Sequence, residues 1–169
     1  MSLPGLRPWW IHPMKDKIEF SEAIAAPDPP QANAPRRILV VDDENDVRLR
    51  TMDMLLNAGF EVAGAEDGAA GWETLQAGTF DLVITDNQMP KMTGVEMIEK
   101  LRSAALKTLV IMATGNLPVF RFARQPWLCP DAVLERPYSN ADLLAMVNKV
   151  LRRDDGYNAH MKMLLPIYL

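Results

Sequence analysis

The chain has 169 residues, of which 49% are apolar and 24% charged, and its net charge is −4. A composition this ordinary excludes a collagen repeat, a disulfide scaffold and wholesale disorder. No run of about 18 apolar residues offers a membrane span, and the mild acidity argues against a nucleic-acid surface. The first twenty residues lack the continuous apolar stretch of a secretory signal. A single cysteine, Cys129, allows no internal disulfide and suits a reducing cytoplasm. The two histidines, His12 and His160, lie near the termini. A zinc cluster or a Ser-His-Asp triad has almost nothing to be built from.

Seven of the 13 prolines fall within residues 1–35, and Pro27 to Pro35 reads as an extended linker. Residues 1–35 are therefore expected to form a Pro-rich, flexible arm. Trp9, Trp10 and Ile11 fit that reading poorly, since an arm left in water seldom carries adjacent tryptophans. From Arg36 the texture changes. Ile38-Leu39-Val40-Val41 is apolar throughout and β-branched, as a strand buried on both faces requires. Similar runs follow at Phe60–Ala65, Leu82–Thr85, Leu109–Ala113 and Ala132–Leu134. Helical patterns separate them. Asp46–Asn57 spaces Leu49, Met52, Asp53 and Leu56 as a helix would, with Gly59 placed to end it. Asp67 can cap a helix carrying Trp72 and Leu75, and Thr93–Arg102 lines up Val95, Ile98 and Leu101.

The fourth helical segment is irregular. It can begin at Pro118, but Pro126 should stop it, so at most about two turns fit. Val119, Phe120, Phe122, Trp127 and Leu128 crowd apolar area into this stretch, either as packing beneath a loop or as a partner-binding face. Ser139 with Asp142 resembles a capping box, followed by the stripe Leu143, Val147, Val150 and Leu151. Residues 154–169 read as a tail. Five alternations of strand and helix predict an α/β fold. Its doubly wound, five-stranded parallel sheet is covered on both faces.

In such a sheet, functional groups collect beyond the C-terminal strand ends. The first run ends in Asp42-Asp43-Glu44, the third in Asp86, the fourth in Thr114-Gly115 and the fifth in Glu135-Arg136-Pro137. In the strand order 2-1-3-4-5 the first and third strands are neighbours, so Asp42, Asp43 and Asp86 would converge. Two such charges about 5 Å apart repel by about 3 kcal/mol at an effective dielectric near 20. Carboxylates gathered this closely share protons or hold a hard cation, and Mg²⁺ suits oxygen ligands. Thr114 and Arg136 would face the same pocket. Together they suggest a phosphoryl group carried on a carboxylate.

Residues 36–153 resemble a response-regulator receiver domain, the phosphoacceptor half of two-component signalling. The matching pieces are Ile38 to Glu44, Asp86-x-x-Met89-Pro90-x-Met92-x-Gly94, Thr114-Gly115 and Arg136-Pro137. The resemblance implies a flavodoxin-like fold with Asp86 as the phosphorylated residue. It makes Asp43 a direct Mg²⁺ ligand beside Asp86, Asp42 a ligand through water, and the Gln88 backbone carbonyl a further ligand. Thr114 would hydrogen-bond a phosphate oxygen and act as the switch. Arg136 would take the phosphate-partner place usually held by lysine. The phosphoryl donor would be a sensor histidine kinase or a histidine phosphotransfer protein acting in trans. The output would be contact with a downstream protein target, or homodimerisation, through residues 115–150. Nucleic acid and membrane are not expected partners.

Two further departures from the family pattern stand out. Val133 occupies the position where many receivers carry a Tyr or Phe that swings with the switch threonine, and the fourth helix is broken by proline. The expectation is a stand-alone receiver that catalyses only its own phosphotransfer and dephosphorylation. A phosphorylation-independent pseudo-receiver that binds partners is the alternative. A phosphohydrolase with an aspartyl nucleophile fits less well, because Asp42-Asp43-Glu44 lacks the Asp-x-Asp spacing that chemistry needs.

Overall fold

A computed structural model of the chain describes residues 34–164, with side chains described through Arg153. The arm expected over 1–35 lies outside these residues except for its last two. Five strands, β1 (Arg37–Val41), β2 (Glu61–Ala65), β3 (Leu82–Thr85), β4 (Leu109–Thr114) and β5 (Ala132–Glu135), form one sheet of order β2-β1-β3-β4-β5. All four pairings are parallel. The helices are α1 (Asn45–Asn57), α2 (Gly68–Ala77), α3 (Gly94–Ser103), α4 (Val119–Arg124) and α5 (Asn140–Leu164), with a 3₁₀ turn at Pro126–Leu128.

The strand residues alternate between two cores, because successive side chains leave a strand on opposite faces. Leu39, Val41, Val83, Val110 and Met112 meet α2, α3 and the Phe122–Leu128 segment. Ile38, Val40, Leu82, Ile84, Ile111 and Ala113 meet α1 and α5. Burying both faces explains why the strands read as unbroken apolar runs.

The helix read over Asp46–Asn57 is α1. Its buried residues are Thr51 and Leu55, while Leu49 and Leu56 are about half exposed. A helix seated near the sheet edge buries one narrow stripe, and here that stripe runs through Leu55 against β1 and β2. The fourth segment is split as its prolines demand. Pro118 precedes a six-residue α4, and Pro126 opens the 3₁₀ turn. Phe122 and Leu128 are core, as the packing reading expects, whereas Val119, Phe120 and Trp127 face solvent. α5 runs on to Leu164, so the first part of the segment read as a tail is helical, and residues 165–169 lie outside the description. Among the described residues no helix is long and apolar enough to cross a membrane.

Two capping boxes fix helix starts beside the strand ends. Thr93 Oγ1 accepts the Glu96 amide at 3.3 Å, and Glu96 accepts the Thr93 amide at 2.9 Å. Ser139 and Asp142 repeat the arrangement at 3.2 and 3.0 Å. The Thr93 amide and hydroxyl hold the Glu96 carboxyl below its ordinary pKa, and the Ser139 hydroxyl and amide do the same for Asp142. Because both folded values are depressed, this stabilisation is complete above the ordinary carboxylate range, near pH 4. It is lost as pH falls further. Thermal midpoints measured from about pH 6 to pH 3 should therefore fall less for the Glu96→Gln, Asp142→Asn double variant than for the parent.

Candidate functional site

The C-terminal ends of β1, β3, β4 and β5 bring four of the expected residues to one end of the sheet. Asp42 follows β1 and Asp86 follows β3, the register setting Val41 beside Thr85. Both carboxylates are buried, Asp42 4% and Asp86 7% exposed. Arg136, directly after β5, reaches both. Its Nη2 donates to Asp42 Oδ2, and its Nη1 donates to Asp86 Oδ2 at 3.3 Å. Nη1 also lies 3.6 Å from Glu44 Oε1. One guanidinium thus neutralises two buried acids that would otherwise repel each other.

Burial raises the Asp42 pKa, and the Asp86 charge adds to it, against the opposing pull of Arg136 and the Glu44 amide. Burial works to lower the Arg136 pKa, but the attraction of Asp42 and Asp86 outweighs it and holds the guanidinium above its ordinary value. The remaining Asp42 oxygen, Oδ1, accepts the Glu44 amide at 2.9 Å, and its backbone carbonyl accepts Arg48 Nη1 at 2.5 Å. Asp86 Oδ1 accepts the Asn87 amide at 2.5 Å. Its carbonyl is held at 2.7 Å by the buried Thr85 hydroxyl. A Cβ at position 94 would sit 2.1 Å from that same carbonyl oxygen, so only glycine fits there.

The expected convergence of three carboxylates is revised. Asp43 is exposed at the mouth of the strand end, and only Asp42 and Asp86 are buried. Among the described residues no three His, Cys, Asp or Glu side chains gather as they lie. The donors nonetheless suit a hard divalent cation: two buried carboxylates already share a positive charge, and every available ligand is oxygen. Gln88 lies exposed in the loop just past Asp86. Thr114 is 1% exposed, and its hydroxyl pairs with Asn116, accepting the Asn116 amide at 3.2 Å.

Sequence reasoning passed over two residues. Asn87 joins three segments: its Oδ1 accepts the Val95 amide at 3.3 Å, and its Nδ2 donates to the Asn116 carbonyl at 3.4 Å. Arg48 pins the Asp42 backbone. An Asn after an acidic strand end is a recognisable turn signal, whereas nothing in the local pattern marks Arg48.

The family model for the response regulator receiver domain matches residues 38–148. The chain belongs to this family. It is 31% identical over 123 residues to the response regulator receiver protein CpdR of Brucella abortus, covering 69% of this chain and 97% of CpdR. It is 29% identical over 124 residues to the transcriptional regulatory protein DltR of Streptococcus agalactiae, covering 73% of this chain and 55% of DltR. The receiver chain thus spans about half the length of several curated relatives that it matches. Among solved structures it resembles the response regulator TrrA of Thermotoga maritima, determined in complex with Mg²⁺ and BeF. That likeness has a TM-score of 0.60 and 30% identity, covering 68% of this chain and 98% of TrrA. The fold is accordingly the flavodoxin-like fold of receivers, in the strand order expected.

Replacing Arg136 by methionine keeps the stem and removes the shared cation. At about pH 7 the variant should lose about 3 kcal/mol of stability in urea denaturation, as for a buried ion pair deprived of one partner. The Asp42 pKa is already raised, so lowering the pH protonates this carboxyl in the folded state and relieves the repulsion. The deficit relative to the parent should therefore shrink as the pH is lowered from 7.

Proposed function

We propose that this receiver accepts a phosphoryl group on Asp86 from the phosphohistidine of a sensor histidine kinase or a histidine phosphotransfer protein, with Mg²⁺ as cofactor. The observation that carries this reading is the Asp42–Arg136–Asp86 bridge, two buried carboxylates gathered on one guanidinium at the C-terminal edge of the sheet. Mg²⁺, held by Asp43, Asp86 and the Gln88 carbonyl and through water by Asp42, would supply charge neutralisation for the incoming phosphoryl oxygens.

The chain's own residues do the rest. Asp86 Oδ1 is occupied by the Asn87 amide, which leaves Oδ2 as the attacking oxygen. The Oδ2–phosphorus bond forms as the phosphorus–nitrogen bond breaks, and its electron pair returns to the donor's imidazole. Arg136 transfers its hydrogen bond from Asp86 to a phosphoryl oxygen. The Thr114 hydroxyl leaves Asn116 to donate to one of them, and that movement is the switch. Val133, paired with Met112 in the register, offers no aromatic ring to follow it. The same site catalyses slow hydrolysis of its own acyl phosphate and turns over no other substrate. The receiver acts in the cytoplasm and is read out by a downstream protein or a second copy through residues 115–150. Exposed Val119, Phe120 and Trp127 support that surface.

A second reading, a pseudo-receiver that binds partners without phosphate, is favoured by Arg136 itself, which already fills the pocket between the acids. Acetyl phosphate with Mg²⁺ separates the two. Intact-mass spectrometry should show a gain of about 80 Da on the parent chain and none on Asp86→Asn. The absence of the adduct, together with no response to beryllofluoride, would leave the pseudo-receiver standing. Arg136→Lys should retain the adduct at a rate within about tenfold of the parent, since a compact ammonium can replace the fork at this site.

A further inference from the structure

The loop after Asp86, residues 87–93, forms one rim of the carboxylate pocket and is anchored at two ends. Toward α3, the Asn87 carbonyl accepts the Gly94 amide at 3.1 Å and its side chain accepts Val95. The other anchor belongs to α2. Lys91 Nζ lies 2.6 Å from Oδ2 of Asp67, whose side chain is 2% exposed. The second oxygen of that carboxylate caps α2 by accepting the Ala70 amide at 2.8 Å. Each oxygen of Asp67 therefore has its own task, one inside α2 and one across to the loop.

Three details show that this contact holds the loop in place. Lys91 has φ of 60°, a left-handed conformation that a non-glycine residue keeps only when its surroundings hold it. Beside it, a Cβ on Gly68 would stand 2.3 Å from the Met92 carbonyl oxygen, so the loop lies directly on the first turn of α2. Finally, the Lys91 ammonium and the Ala70 amide together hold the Asp67 carboxyl below its ordinary pKa. An exposed ion pair contributes little on a mobile surface, but here one partner is buried and already fixed in a helix cap.

We propose that Asp67 and Lys91 are positioning residues for the divalent cation. The pair latches the 87–93 loop to α2 and so holds the loop's pocket-side residues where a cation can be bound beside Asp86. The inference rests on the Mg²⁺-dependent reading above and adds a contact in which none of the proposed ligands takes part.

Asp67→Asn keeps an oxygen to cap α2 and removes the charge. Lys91→Met keeps the stem and removes the ammonium, and Lys91→Arg restores a cation. Mn²⁺ serves as the probe, with its free concentration read by electron paramagnetic resonance on the full chain, alongside thermal midpoints measured in EDTA. Asp67→Asn and Lys91→Met should each weaken Mn²⁺ binding by about tenfold, while Lys91→Arg stays within about twofold of the parent. If both loss-of-charge variants bind Mn²⁺ like the parent, the latch is overturned, whatever happens to the midpoints. It is equally overturned if Lys91→Arg is as impaired as Lys91→Met, since the effect then follows side-chain shape and not charge. A parent chain that binds no Mn²⁺ removes the parent reading and the latch with it. Equal binding by parent and variants removes the latch alone. If Lys91→Met does not fold, Asp67→Asn and Lys91→Gln decide the matter.

Discussion

Two carboxylates buried side by side need a positive charge between them. Asp42 and Asp86 meet that condition through Arg136, whose two terminal nitrogens each take one acid. Much of the surrounding structure serves this arrangement. Arg48 and the Glu44 amide hold Asp42 from behind, while Thr85 and Asn87 hold Asp86. The carboxylates keep little freedom of their own, so the mobile member of the set is the cation. Whatever enters the pocket must exchange with a guanidinium or share the acids with it.

The sheet makes this geometry possible. In a parallel sheet every strand ends on the same side, and the order β2-β1-β3-β4-β5 sets β1 next to β3. Asp42 and Asp86 become neighbours through strand pairing alone, with 43 residues between them in the chain covered by crossovers and helices. Arg136 stands farther off, beyond β4, and a long planar side chain spans that distance where a shorter cation would have to lean. The Lys-to-Arg departure and the double-acid bridge are thus one feature seen at two levels.

The parts of the fold readable in sequence are those written as periodicity. Apolar β-branched runs gave all five strands, and Ser139 with Asp142 and Asp67 marked helix starts that the structure shows. Other parts depend on contacts that no local window contains. The inner face of α1 is one of them: Leu49, Met52 and Leu56 have helical spacing as good as that of Thr51 and Leu55, and only the neighbouring strands choose between them. The same holds at the site. Asp42, Asp86, Thr114 and Arg136 stand out as strand-end residues, but that Asp43 stays exposed while Asp42 is buried, and that Arg136 binds two acids, follows from backbone direction and reach. Lys91 illustrates the limit most clearly. In sequence it is one lysine in a proline-methionine loop, and its meaning comes from a carboxylate in a different crossover.

The bridge also has a direction in time. Arg136 is 94 residues beyond Asp42 and 50 beyond Asp86, and it follows the last strand of the sheet. On the ribosome both acids leave the exit tunnel well before the cation that reconciles them. Until β5 pairs with β4, the half-built sheet carries two like charges at its functional edge and an unpaired β4 beside them. Closing the sheet and neutralising the pocket are therefore the same event: the segment that completes the strand order also delivers the charge.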